Sequence, residues 1–325
     1  MLVDHASRQQ STPLAGLSTR PELAPPGHQR LRALVAWTPI ALLMGLLAWT
    51  GLRGVDFGYH WDEYEAQIQP VQRSLDERTL LPNYYLYPSV NYGLNLAALF
   101  PTLCRDLLEG ASAEDLAADL RAATDQPQYL LGLRSIRVLP TTLAPLWVYL
   151  SVWLWRRSRL EALLAAGILG LSWEIAYHAR WGAPDAVMMQ FGALTLLLTV
   201  AAARRPEHAR WGHLAAAAAA PATGTKYAAG LLLVPILLVS IFASTEKHSV
   251  RGTAGVVVKV VLIYAAAFLI TTPGAVLQPW AFLRRWLWKA AGTARGIGAT
   301  RYLPAPSAWG VCSTTWDGCS SRRFL

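Results

Sequence analysis

Residues 33–52 read ALVAWTPIALLMGLLAWTGL, twenty residues without a charge. A helix rises about 1.5 Å per residue and bilayer hydrocarbon is about 30 Å thick, so the run is long enough to cross a membrane. It lacks a small-residue cleavage site and is read as a retained span rather than a secretory signal. The rest of the chain has the same character. Of 325 residues, 54% are hydrophobic and only 15% charged, against about 25% charged in an average soluble domain. The mean hydropathy is +0.29. Because the apolar residues come in blocks, the expected fold is all-α: a polytopic transmembrane helical bundle. A net charge of +9 could point to nucleic acid. The basic residues instead form short clusters between apolar blocks, as cytoplasmic loops do, and no nucleic-acid-binding motif occurs. No nucleic-acid partner is expected.

Working outward from the first span, charge sets the parity. Arg20, Arg30 and Arg32 precede it, which predicts a cytoplasmic N-terminus, with residue 53 onward outside. The next strong span, 132–155, ends at RRSR, 156–159, which should be inside. The weaker apolar stretch 90–104 therefore cannot span. Residues 88–104 are read as an interfacial or re-entrant helix within one large external loop, 53–131. Residues 160–179 return outward, and 186–203 run inward to RRPEHAR, 204–210. An Ala-rich arm of doubtful depth goes out to Lys226, an apolar arm comes back to EKHSVR, 246–251, and 254–272 crosses outward. About seven spans result, with every basic cluster inside.

The expected domains are a disordered cytoplasmic tail, 1–32, and a transmembrane domain, 33–277. An external interfacial helix rich in Trp and Arg follows at 278–301. The irregular tail 302–325 has no apolar period and reads as possibly out of frame. Cys104, Cys312 and Cys319 are too few and scattered for a disulfide framework.

With this topology several polar groups fall on the outer face: Asp62 and Glu63; Tyr84, Tyr85 and Tyr87; Arg134 and Arg137; His178, Arg180 and Asp185; Lys226; Arg284 and Arg285. Ionisable residues at membrane depth are costly and attract functional hypotheses. Each also has a plainer reading. Asp62 and Glu63 could be solvated loop charges. Pro184 and Asp185 together make a common helix start, because Asp is favoured by the helix dipole. The basic residues could anchor helix ends by snorkelling, and the tyrosines could belong to an aromatic belt. There is no H-E-x-x-H, no G-x-S-x-G, and TGTKY lacks the P-loop frame.

Three stretches in order, FGYHWDEYEAQIQPVQRSL (57–75), NYYLYPSVNYGL (83–94) and ARWGAPDAVMMQFGALTLLL (179–198), resemble the GT-C glycosyltransferases. They are most similar to the family 39 type, the protein O-mannosyltransferases and aminoarabinose–lipid A transferases. TGTKYAAGLLLVPILL (223–238) resembles a short hairpin of that group. The resemblance covers roughly 33–300. It implies that Asp62 is the catalytic carboxylate, Glu63 its partner, and Asp185 the second-loop acid. Tyr87 stands where the family carries a basic residue before Pro.

The implied activity is transfer of a hexosyl or pentosyl unit from a polyprenyl-phosphate-linked sugar. The acceptor would be a protein, lipid or glycan hydroxyl or similar group outside the cell membrane, with a bacterial inner membrane favoured. A carboxylate can serve as base for such a displacement. The leaving phosphate calls for cations, and Arg180, Lys226, Arg284 and Arg285 are the candidates. Tyr85, Tyr87 and His178 are candidate substrate-lining residues. No cofactor is expected: a divalent metal is used by some GT-C enzymes but is not predicted here. The family continues into further spans, so the chain reads as C-terminally truncated. Two other classes compete. A transporter would need polar or broken helices at mid-membrane, against which the Leu- and Ala-rich spans weigh. A non-catalytic or degenerate protein of the same fold would tolerate loss of Asp62.

Overall fold

The computed structural model describes residues 26–58, 60–245 and 249–294. Most of the expected N-terminal tail and all of 302–325, with Cys312 and Cys319, lie outside the described residues. No strand occurs among the described residues. In chain order, α1 (Pro26–Leu52) is followed by the loop helices α2 (Trp61–Glu63), a π-helical turn (Tyr64–Ile68), α3 (Gln69–Asp76), α4 (Ser89–Ala97), α5 (Phe100–Leu108) and α6 (Ala113–Ala123). Then come α7 (Pro127–Thr141), α8 (Ala144–Arg156), α9 (Arg159–Gly170), α10 (Trp173–Arg180), α11 (Pro184–Arg204) and α12 (Arg210–Thr225). A 3₁₀ stretch (Tyr227–Leu232) leads into α13 (Leu233–Thr245), α14 (Val250–Thr271), α15 (Gly274–Leu277) and α16 (Pro279–Ala294).

Among the described residues, five stretches are long and apolar enough to cross a membrane: Val35–Leu52, Pro127–Arg156, Pro184–Arg204, Tyr227–Ser244 and Val250–Thr271. α9 with α10, read from the sequence as one outward crossing over 160–179, makes a sixth if the pair is a single broken span. It is bent by 49° at Leu171–Ser172. α1 begins at Pro26, seven residues before the apolar run. Neither α4 nor α5, at nine residues each, is long enough to span.

The Ala-rich arm, α12, is the helix whose depth sequence reading doubted. It is too short for the apolar criterion, yet it lies at the centre. Ala215, Ala216, Ala219, Ala220 and Ala222 are fully buried, packed towards Ile236 of α13 and Val260 of α14. Small side chains let helix backbones approach closely where lipid supplies no hydrophobic drive. Its low apolarity marks a helix surrounded by protein, not one turned to water. Hydroxyls inside these helices bond back to the preceding turn, as Thr141 to the Arg137 carbonyl and Thr223 to the Ala219 carbonyl do.

The ends of the bundle are unlike. At one end Arg204 donates to the Trp155 carbonyl and stacks on its ring at 5.1 Å. Nearby, Pro206, His208 and Ala209 share a cavity of about 80 Å³ with Ser240 and Ser244. The basic segments 156–159 and 204–210 thus gather at one end. At the other end the loop helices dock on α7 through a cluster of Ile68, Val71, Tyr92, Leu99, Tyr129 and Leu133.

Candidate active site

The site is built at that second end around one buried ion pair. α2 is a single turn with a reciprocal cap. The His60 ring nitrogen Nδ1 accepts from the Asp62 backbone at 3.4 Å, and the Glu63 carboxylate accepts from the His60 backbone at 3.3 Å. Glu63 is fully buried. Arg134 of α7, also fully buried, donates to both its oxygens, from Nε at 2.9 Å and Nη2 at 2.6 Å. The Gly182 N–H adds a third bond at 2.8 Å. Arg134 further donates to the carbonyls of Val55 and Gly58, and lies 4.1 Å over the Phe57 ring. One guanidinium therefore fixes the approach to α2, α2 itself and, through Glu63, the α10–α11 turn.

Sequence reading paired Glu63 with Asp62 as two working carboxylates. The structure places Glu63 otherwise. Its oxygens are taken by Arg134, Gly182 and His60, and water is excluded. It ties α2 to α7 and to the α10–α11 turn. Asp62 is partly exposed at the start of the short helix, beside the first-turn N–H groups that favour a carboxylate. The π-helical turn that follows is a rare geometry, frequent at functional sites.

A second buried guanidinium lies one helical turn on. Arg137 donates to the Leu133 carbonyl at 2.8 Å, to Gln67 at 3.1 Å and to Asn95. Asn95 in turn donates to the Gln67 carbonyl at 2.8 Å. The reading of Arg134 and Arg137 as snorkelling anchors is thus corrected: both have no solvent exposure. Their three-residue spacing puts them on one face of α7. Two arginines on one face of an apolar helix, at membrane depth, were the available sequence signal.

The aromatic neighbours of Asp62 also come from two loops. The His60 ring stacks on Trp181 at 4.1 Å and its Nε2 meets the Tyr177 hydroxyl at 3.3 Å. His178 sits in the same cluster, 5.8 Å from Trp181, and bonds Glu174 at 3.2 Å. Burial is the main cause holding the His60 pKa below its ordinary value, outweighing Glu63, which raises it; Arg134 and His178 lower it further. A neutral ring also matches its acceptor role at Nδ1. With the folded value below the unfolded one, the unfolded state binds more protons as pH falls under about 6.5, so stability drops on the acid side. His60→Asn keeps a capping oxygen without a titrating ring. We expect this variant to lose less melting temperature between pH 7 and pH 5 than the parent; an unchanged acid loss would remove His60 as its cause.

Asp185 opens α11 behind Pro184 and accepts from Lys226 at 2.6 Å. Both are about one-third exposed. Below this pair an almost wholly apolar groove of about 330 Å³ runs between α11 and the 3₁₀ stretch, lined by Met188, Met189, Gly192, Ala229 and Leu232 among others.

The remaining candidates have diverse places. Tyr85 is buried rather than lining a substrate space; its hydroxyl donates to Gln278 at 2.5 Å and its carbonyl accepts from Tyr227 at 3.1 Å. Burial, with a smaller effect of Tyr92, pushes its pKa up to about 12. A methyl on Gly274 would overlap the Tyr85 ring, so we expect Gly274→Ala to expel that ring and lower the melting temperature. An unchanged Tm would show that the contact yields freely. Tyr87 is half-buried beside Pro88 and Asn91. Arg285 lies 4.2 Å over Tyr84 and 4.8 Å from Trp288, while Arg284 is exposed. Arg180 donates from Nε to the Thr50 carbonyl at 3.0 Å, on the α1 side of the turn. The expected phosphate cations thus have their own partners: Thr50 for Arg180, Asp185 for Lys226, and Tyr84 and Trp288 for Arg285. No group of three or more His, Cys, Asp or Glu converges among the described residues.

Residues 130–276, from α7 to α15, match the family model described as dolichyl-phosphate-mannose-protein mannosyltransferase. That match supports a membrane glycosyltransferase of the GT-C superfamily. Neither the curated proteins nor the solved structures give a match. The matched segment contains Arg134, Gly182, Asp185 and Lys226, but not the loop with Asp62 and Glu63. That loop is joined to it by the Glu63–Arg134 and Glu63–Gly182 contacts.

Proposed function

We propose that the chain transfers a hexosyl or pentosyl unit from a polyprenyl phosphate to an acceptor hydroxyl or similar group on the extracytoplasmic face, with Asp62 as base. The observation that carries this reading is the Glu63–Arg134–Gly182 junction, which holds Asp62 at a fixed place between two loops at the end opposite the basic clusters. By the positive-inside rule the basic end is cytoplasmic, together with the N-terminus. In the reaction the acceptor oxygen attacks the anomeric carbon, its proton passes to the Asp62 carboxylate, and the bond from that carbon to the phosphate oxygen breaks. The polyprenyl phosphate leaves as an anion and needs a cation, not an acid. Lys226 keeps two N–H donors beyond the one given to Asp185. The apolar groove beneath it suits the first isoprenoid units, and Asp185 would act by holding Lys226 upright. Arg284 and Arg285 on α16 are a second source of positive charge. The acceptor class, protein, lipid or glycan, is left open by these features.

The test uses the purified full chain with a radiolabelled polyprenyl-phosphate sugar and membrane acceptors. Label should move, and Lys226→Met should lower kcat/KM for the donor by about 10–100-fold, the value of one charge-assisted hydrogen bond. Lys226→Arg should recover part of it. Absence of transfer by the parent chain would sink the proposal, and wild-type kcat/KM in Lys226→Met would remove Lys226 from the donor site.

A further inference from the structure

A second cavity, of about 300 Å³, lies on the other side of the α10–α11 turn. It is walled by Leu46 and Thr50 of α1, by Gly170–Trp173 at the break between α9 and α10, and by Ala176, Tyr177 and Arg180 of α10. Its rim lies on the outside of the bundle, where Leu46, Leu171 and Trp173 are exposed beside the candidate span Val35–Leu52 and the bent α9–α10 pair. Its polar end holds one cation. Among the described residues, Arg180 bonds through Nε to the Thr50 carbonyl and has no carboxylate within ion-pair distance. Glu174, the acid on the same helix, is turned to His178. Arg53, one turn beyond Thr50, adds positive charge and lies 5.7 Å over the Trp49 ring. A half-buried guanidinium with spare donors at the head of an apolar cavity on the outside of the bundle is complementary to an amphiphile with a negative head.

We propose that this cavity binds the head group of an anionic membrane lipid, with Arg180 as its charge partner and Ser172 and Thr50 hydroxyls beside it. The bend at Leu171–Ser172 lies in the cavity wall, between Gly170 and Trp173. The lipid site is separate from the Lys226 groove and does not rest on the donor reading. It does touch the candidate active site, because Tyr177 both lines the cavity and meets His60, two residues before Asp62. Arg180 is thereby assigned to lipid rather than to the sugar donor's phosphate.

The test reads Trp173 at the rim. The full chain is placed in bilayers containing either brominated phosphatidylglycerol or brominated phosphatidylcholine, and the quenching lost in Trp173→Phe is taken as the Trp173 signal. We expect that signal to fall at several-fold lower mole fraction of the anionic lipid. Arg180→Gln should erase the preference and Arg180→Lys should retain most of it, the latter guarding against a folding defect. Equal quenching by both lipids in the parent, or a preference that survives Arg180→Gln, would overturn the proposal. Relief of quenching by millimolar inorganic phosphate would show a free-anion site instead. Relief by polyprenyl phosphate at equal mole fraction would make it the donor's site. Either result would refute the lipid assignment.

Discussion

Glu63→Ala should leave little folded protein. The change strands the Arg134 guanidinium, fully buried, with its carboxylate partner gone and only the Val55 and Gly58 carbonyls left to it. Breaking a buried pair by removing one member typically costs about 3–5 kcal/mol, because an uncompensated charge remains. It also frees the Gly182 N–H and the His60 backbone, so the first loop and the α10–α11 turn lose their common anchor. Arg134→Ala should be as severe, leaving the carboxylate unpaired instead. The informative variant is the double change Glu63→Gln with Arg134→Met. It removes both charges while keeping most of the volume and an acceptor for Gly182. We expect its melting temperature to recover most of the loss seen in either single change, since apolar replacement of a whole buried pair is often neutral. If the double variant is as unstable as the singles, the pair is not the anchor described. Transfer by the folded double variant should still fall, because the fork geometry that aims α2 is gone.

Asp62→Asn should behave in the opposite way: a normal protein with almost no turnover. Asp62 is partly exposed, and its backbone rather than its side chain makes the cap with His60. An amide in its place keeps the volume and can still face the first turn of α2. It cannot take a proton. Loss of a positioned general base typically lowers kcat by about 10²–10⁴-fold. KM for the lipid-linked sugar should stay within about threefold, because the donor's phosphate and tail are met by other residues in the proposed arrangement. Wild-type kcat in a folded Asp62→Asn protein would sink the base assignment, and a melting temperature as low as that of Glu63→Ala would show that Asp62 is structural. The contrast between these neighbours is the sharpest available test: one residue should govern folding and the next turnover.

Much of the fold was legible because its cause is local. Twenty uncharged residues at 33–52 and the blocks after them can only be helices in a bilayer, where each backbone N–H and C=O must be satisfied within its own segment. The basic clusters were legible as one end for the same kind of reason, and Arg204 against Trp155 puts two of them together. The depth of the Ala-rich arm stayed open in the sequence because hydropathy measures affinity for lipid, and α12 packs against α13 and α14. The bend after Gly170 was not foreseen, because nothing in the LGLSWE run of 169–174 is a proline or a charge cluster.

The site was legible as a set of residue types and illegible as a set of contacts. Composition by itself determined a polytopic helical membrane protein, while charge parity and the motif resemblance supplied the expected face of Asp62, Asp185 and Lys226 and the short list of residues worth testing. Only the tertiary structure decided their partners. Glu63 found Arg134, seventy-one residues away in sequence, rather than Asp62 beside it. Lys226 found Asp185, and Arg180 was left to a cavity of its own. The physical reason is that a charge taken out of water must be matched by whatever group the packing brings within about 3 Å. Helix periodicity and the membrane set the depth of a charge, but the choice of partner depends on how helices distant in sequence pack together.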